Sequence, residues 1–278
     1  MLWRVLMFFT CVVAIVLHKP ASAQAQQTKQ PRPMTSQCIA MADVGPQLPV
    51  HNASYVPVAA AGHDVKLGYI GHSTFLIQSP EGVKIATDFT GYAGPGVLPD
   101  VVTMNHAHSS HYTDFPDPGI KHVLRGWNPA GGYAHHNLRY KDAHIRNVPT
   151  NTRNWGGGTV VFGNSIFIFE IAGLCIGHLG HLHHELTKQQ IAQIGQLDIV
   201  MVPVDGFVTL DFEGMQKVLT QLKARVVIPM HYFTAGSLET FMVKARAHYE
   251  VRVNETAEVV FSVNNLPKKP QVVVLSGQ

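Results

Sequence analysis

The chain reads as a layered α/β sandwich built by one domain, and three observations point that way. The first half is a succession of short apolar, β-rich runs bounded by Gly, Pro and Asp, and the second half alternates strand-like with helix-like segments. The 278 residues are 46% hydrophobic and 14% charged, which supplies a large core and excludes both charge-driven disorder and a disulfide-stapled miniprotein. Two sheets covered by helices accommodate that order of elements.

The strand-like runs are Val65–Gln78, Val83–Thr87, Val101–Met104, His122–Leu124 and Ala143–Val148. Thr159–Phe162 and Ser165–Ile171 flank Gly163-Asn164 at the spacing of a β-hairpin with an Asn turn. Beyond Gly177, Thr187 caps a helix running to Ile194, Asp198–Val204 is a buried strand, and Asp211–Leu222 repeats apolar residues at helical spacing. Arg225–Met230 is another strand, Glu239–His248 a last helix, and Val251–Val253 and Glu258–Val263 close the pattern as strands.

The N-terminus has a different character. Arg4, the apolar run Leu6–Leu17 and Ala21-Ser22-Ala23 form a secretory signal over residues 1–23, the run being short for a membrane span. Cleavage after Ala23 would leave a periplasmic or secreted protein with no stable membrane span. Residues 24–54 are polar and Pro/Gln-rich and read as a flexible leader, so the domain is expected over 55–278. Cys11 departs with the signal. Cys38 and Cys175 either pair in an oxidising compartment, or Cys175 is a buried free thiol in the apolar run Ala172–Ile176.

Charge excludes little except nucleic acid. The net charge is +3, with no basic cluster interleaved with aromatics, so the expected partner is a small molecule. Histidine is the outlying count: 17, against 21 Lys plus Arg and 18 Asp plus Glu. A neutral metal ligand in that excess asks for a metal or proton-transfer role. Three places concentrate it. His106, His108 and His111 form H-x-H-x-x-H directly after the strand Val101–Met104. His178, His181, His183 and His184 follow another apolar run, and His231 ends the strand Arg225–Met230. On an extended segment alternate side chains share a face, so His106 and His108 can hold one ion.

With Leu67-Gly68-Tyr69-Ile70-Gly71-His72-Ser73-Thr74-Phe75-Leu76-Ile77, Asp88, the H-x-H-x-x-H, His178-Leu179-Gly180 and Pro229-Met230-His231-Tyr232, the chain resembles the metallo-β-lactamase-fold hydrolases over about residues 65–263. Within them it is similar to the branch of ascorbate-6-phosphate lactonase and N-acyl-phosphatidylethanolamine phospholipase D-like proteins. The resemblance implies a four-layer αβ/βα sandwich with a dinuclear metal site at one edge, most simply two Zn, with Mn, Fe or a single ion as alternatives. It implies His106, His108 and His178 on the first metal, and His111 and His231 on the second. Asp88 would orient a ligand histidine from behind.

The chain departs from the family pattern twice: Ser110 stands where Asp usually precedes the third histidine, and His181 stands where a bridging Asp is usual. We expect His181 to serve as a terminal ligand beside His111 and His231. Two divalent ions with a hydroxide and six neutral imidazoles carry about +3, against about +1 with two carboxylate ligands, which favours an anionic substrate. The function so implied is an exported metallo-hydrolase using metal-bound hydroxide on an ester, lactone or phosphodiester. A non-catalytic periplasmic metal-binding protein and an iron oxidoreductase on the same fold are the alternatives. Asp205, at a strand end, is a candidate ligand, orienting partner or proton acceptor, and Tyr232 a candidate donor to an oxyanion. His72 either faces the site or is a satisfied core histidine. His183 and His184 rim the pocket or only pack, and Arg153 and Trp155 lie on a loop able to line it.

Overall fold

Long strands buried on both faces set the architecture of the computed structural model, which describes residues 36–40, 62–154 and 156–276. In chain order they form α1 (Gln37–Ala40), β1 (Val65–Gly71), β2 (Thr74–Gln78), β3 (Lys84–Ala86), β4 (Val101–Met104), β5 (His122–Arg125), β6 (Asn137–Tyr140), β7 (Ala143–Arg153), β8 (Thr159–Ile171) and β9 (Leu174–His178). There follow α2 (Lys188–Ile194), β10 (Ile199–Pro203), α3 (Phe212–Leu222), β11 (Val226–Met230), α4 (Ala235–Ala245), β12 (Glu250–Val253), β13 (Glu258–Phe261) and β14 (Gln271–Val274). The strands make two mixed sheets, a six-stranded one in the order β13-β1-β2-β3-β4-β5 and an eight-stranded one in the order β12-β14-β11-β10-β9-β8-β7-β6.

Phe167, Phe169 and Ile171 of β8 turn inward with Ile145, Ile176, Met201 and Ile228 to meet Leu67, Phe75, Ile77 and Ile85 of the smaller sheet. Ile166 and Ile168, one residue out of phase, face outward with Val200, Val202 and Val227 and are covered by Met215, Val218 and Leu222 of α3 and Phe241 of α4. The caps are those the sequence signals: Thr187 and Gln190 form a reciprocal capping box on α2, and Asp211 accepts from Gly214 N–H at the start of α3. The outer face of the smaller sheet differs. There Ala86, Val102 and Met104 are covered by loop residues Phe89, Ala93 and Ile120, so among the described residues loops take the place of a fourth, helical layer.

Three local expectations change. Val65–Gln78 is two antiparallel strands broken at Gly71–Ser73. Gly163-Asn164 is no turn, because β8 runs through it while pairing with β7 from Arg153↔Thr159 to Ala143↔Ile171; the hairpin turn lies at residues 154–158. Long-range pairing outweighs the local Asn signal, and Asn164 is buried, donating to Thr150 Oγ1 at 2.7 Å and forming a bridge to His106. α4 begins at Ala235 behind its cap Thr234, four residues ahead of the Glu239 start expected for it.

The signal segment 1–23 lies outside the described residues, as does most of the leader 24–54. Ser36–Ala40, within that leader, contradict a uniformly flexible reading. Cys38 is disulfide-bonded to Cys175 across 137 residues of sequence, and Cys38 O accepts from Gln196 N–H at 2.9 Å. Buried Glu170 accepts from the Ser36 hydroxyl, from Gln37 N–H at 3.0 Å and from Arg146 Nε at 2.9 Å. Arg146 also donates to the carbonyls of Gln193 and Ile194, placing a cation on the C-terminal end of α2. Among the described residues, no helix is long and apolar enough to cross a membrane.

Candidate metal centre

β9, β10 and β11 run parallel, so the loops after them leave one edge of the larger sheet. The loop after β4 and the β1–β2 turn of the smaller sheet meet them there, joined by His231 N–H donating to His72 O at 2.8 Å. His72, Asp88 and His231 all hold positive φ, at 52°, 43° and 54°. Left-handed backbone at three non-glycine positions of one site is strain that the surrounding packing must hold, of order 1–3 kcal/mol each.

Two histidines are aimed by carboxylates. Asp88 Oδ2 stands 2.7 Å from His111 Nδ1, and Asp205 Oδ2 stands 3.0 Å from His231 Nδ1. With Nδ1–H donated to a carboxylate, the lone pair lies on Nε2, the ligating tautomer. The two Nε2 atoms are 3.2 Å apart, close to the roughly 3.3 Å that separates two nitrogens on one tetrahedral zinc. His72 Nε2 is buried without a hydrogen-bond partner, and the ligand atoms of His72, His111 and His231 all lie within 4.8 Å of one another. An orphaned buried nitrogen beside two convergent lone pairs fits a divalent cation.

His106 and His108 stand alongside, their rings stacked 6.2 Å apart with Nδ1 engaged by Gly163 O at 2.7 Å and by Ser110 Oγ at 2.8 Å. They are the next pair able to reach a metal; His106 is half-buried and His108 exposed. The rings of His106 and His231 lie 6.0 Å and 5.1 Å from that of His111.

His178 does not join them. Its Nε2 donates to Ser73 O at 2.8 Å, and its Nδ1 accepts from Gly180 N–H at 3.1 Å, so neither nitrogen is free to ligate. The first-metal set His106, His108, His178 is thus broken, and the convergent third imidazole is His72. Two further candidates are placed by their contacts. Asp205 is a positioning residue: Oδ1 accepts from the N–H groups of Phe207, Val208 and Thr209, and Oδ2 from the Thr209 hydroxyl as well as His231. Tyr232, a candidate oxyanion donor, packs between the two hydrophobic cores beside Tyr69.

The acidic groups missing from the ligand positions are present one hydrogen bond behind. Burial opposes ionisation of Asp205, but bonds from His231, Thr209 and the Phe207 and Thr209 N–H groups outweigh it and hold the carboxyl well below the usual range. Burial pushes Asp88 up. Burial, reinforced by neighbouring imidazoles, holds His111 well below its ordinary value, and burial lowers His72 to about 4 and also lowers His178.

These directions give a pH dependence for metal-free protein. Below about pH 6.5 the unfolded histidines take up protons that the folded ones refuse, so stability falls with pH, by up to about 1.4 kcal/mol per unit for each such histidine. For His72 the loss spans pH 6.5 to about 4. Asp205, whose pKa is depressed, loses its contribution only as pH falls below the ordinary carboxylate range. Urea midpoints of chelator-treated protein should drop steadily from pH 7 to 5; a flat profile would contradict neutral burial.

A β-lactamase superfamily domain model matches residues 66–231. The chain belongs to the β-lactamase superfamily. Among its superfamily relatives, a UPF0173 metal-dependent hydrolase from Carboxydothermus hydrogenoformans is 26% identical over 211 residues, covering 66% of this chain and 93% of the relative. A solved metallo-β-lactamase superfamily protein from Thermotoga maritima is 29% identical at a TM-score of 0.56, covering 77% of this chain and all of that one. A metallo hydrolase from Ignicoccus hospitalis, 23% identical at a TM-score of 0.51 over 72% of this chain and 99% of its own, shows the fold alone.

In this superfamily member a cleft of about 440 Å³ is lined by His106, His108, His181 and His183, by Arg153 at the end of β7 and Asn154 and Gly157 of the β7–β8 turn, and by Phe207, Val208 and Phe233. Trp155, expected beside Arg153, lies outside the described residues. His181 is buried, its ring 4.8 Å from that of His111 and 4.9 Å from that of His231. Gly180 makes that placement possible: its φ is 59°, and a Cβ there would lie 2.5 Å from Asn105 Cβ and Asn164 Oδ1. His184 is occupied by Asn151 N–H and Glu185 O. No short motif marks the roles of Asn105, Asn164 or the Ser73 carbonyl, which are made by contacts 14 to 105 residues apart.

Asp205→Asn tests the aiming of His231. An amide NH₂ turned toward Nδ1 forces the ring proton onto Nε2, so metal affinity should fall about 10- to 100-fold with the fold retained, read by competition titration with a chelating dye.

Proposed function

We propose that this chain, a metal-dependent hydrolase of the metallo-β-lactamase superfamily, cleaves a small anionic ester, lactone or phosphodiester. The observation that carries the reading is the convergence of His72, His111 and His231 directly behind His181, which lines a cleft whose wall also holds Arg153. A divalent ion held there supplies Lewis-acid polarisation of the scissile oxygen and activates water near neutral pH.

The chain's own groups supply the rest. Asp88 and Asp205 keep protons off the ligating Nε2 atoms. Arg153 hydrogen-bonds two neutral acceptors, His183 Nδ1 at 2.9 Å and Thr209 O at 2.8 Å, so its charge is left to attract an anionic group. Phe207 and Phe233, 69% and 55% exposed, offer an apolar surface for the uncharged part of a substrate and for excluding water. The narrower likeness to lactonase and phospholipase D-like proteins is the ground for including lactones and phosphodiesters.

Export is part of the proposal. The signal at residues 1–23 supports it, as does the Cys38–Cys175 disulfide, which belongs in an oxidising compartment. Sequencing the N-terminus of protein recovered from the periplasm or medium checks it: Gln24 is expected, and retained Met1 would contradict it.

The activity is tested by loading purified protein with zinc, manganese or iron in turn. Each form is offered paired anionic and neutral carboxylate esters and lactones, and an aryl phosphodiester. Metal-dependent turnover with preference for the anionic members is expected. Metallated protein that turns over none of them would overturn the hydrolase reading.

A further inference from the structure

We propose that His181 serves the site as a hydrogen-bond donor rather than as a metal ligand, its ring proton held on Nε2 by Arg153 acting through His183. A guanidinium has no acceptor and only donates, so Arg153 Nε at 2.9 Å makes His183 Nδ1 the acceptor. A neutral imidazole carries one ring proton, which in His183 then lies on Nε2. That nitrogen stands 2.6 Å from His181 Nδ1, so His181 accepts there and its own ring proton lies on Nε2.

The relay is anchored at both ends. The second contact of Arg153, to Thr209 O at 2.8 Å, fixes the fork, and His181 N–H donates to Asn164 Oδ1 at 2.9 Å. The neighbours show the opposite polarity. His111 and His231 meet carboxylates at Nδ1 and present lone pairs at Nε2, whereas His181 meets a donor at Nδ1 and presents N–H. Among the described residues, the group whose ring nitrogens converge for an ion is His72, His111 and His231, without His181. The ring of His181 nevertheless lies within 5 Å of those of His111 and His231, and it lines the cleft. A fixed N–H beside the ion's place suits an oxyanion, a carboxylate or phosphoryl oxygen of the ligand. His183 and Arg153 are positioning residues, acting through His181. What His181 meets rests on the function proposed above; where its proton lies does not.

The test is a long-range proton–nitrogen correlation spectrum of zinc-loaded intact protein with ¹⁵N-labelled histidine. His181 is expected with Nε2 protonated and Nδ1 unprotonated, in wild type and in Arg153→Lys, whose ammonium also only donates. Arg153→Met should give a mixture of tautomers. His181→Ala should keep the zinc content of wild type while His111→Ala loses it, and should bind inorganic phosphate about tenfold more weakly. An unprotonated His181 Nε2, or zinc lost from His181→Ala, overturns the proposal; the wild-type spectrum decides even if a variant fails to fold. Absence of hydrolysis with the expected tautomer and zinc content overturns the functional reading and leaves the relay standing.

Discussion

His111→Ala should strip the protein of bound metal and lower hydrolysis by about three orders of magnitude, the several kcal/mol that a Lewis acid contributes to a transition state. The effect is large because His111 is tied into everything around it. It is fully buried, its Nδ1 is fixed by Asp88, its Nε2 lies 3.2 Å from that of His231, and its ring is 5.4 Å from that of His72. Truncation removes one ligand and leaves a buried carboxylate without its partner. Metal analysis by plasma emission beside a rate measurement checks it. His178→Asn is the contrasting variant: it disturbs packing against Ser73 and is expected to keep its metal.

The second large effect is on stability. Cys38→Ser with Cys175→Ser opens a 137-residue loop, for which the chain-entropy account gives about 4 to 5 kcal/mol and measured losses run about 2 to 5. For a domain of this size that corresponds to a melting temperature lower by about 5 to 20 °C, read by calorimetry. The same change frees Ser36–Ala40, so Glu170 loses the contacts from Ser36 and Gln37. Hydrogen exchange should rise first at the C-terminal end of α2, where Arg146 and Cys38 O meet. Unchanged melting in the double variant would show that the segment is held by those contacts alone.

What the sequence made legible was local. Thr187 and Asp211 announce their helices because a cap acts on its own first turn, and the unbroken apolar run at 166–169 suits a strand buried on both faces. What it hid was decided by distant partners. Gly163-Asn164 carries a turn signal that a long ladder with β7 overrides. His178 and His181 stand three residues apart with the same kind of neighbours. Only the Ser73 carbonyl, delivered by the β1–β2 hairpin, takes one ring away from the cluster, and only the Gly180 backbone turns the other into it. The direction of His72 is hidden for a similar reason, since it depends on a left-handed residue in a turn. Asp88 is expected behind a ligand histidine and stands behind His111, whereas which of its candidate roles Asp205 takes depends on its tertiary contact with His231.

Anomalous diffraction from crystals of metal-loaded protein, collected on either side of the metal's absorption edge, locates the ion among these histidines. An ion bound by Nε2 of His72, His111 and His231 is the expected result, with His178 still donating to Ser73 O and His181 outside the coordination shell. An ion coordinated by His178, or no anomalous density among these histidines, would contradict the account.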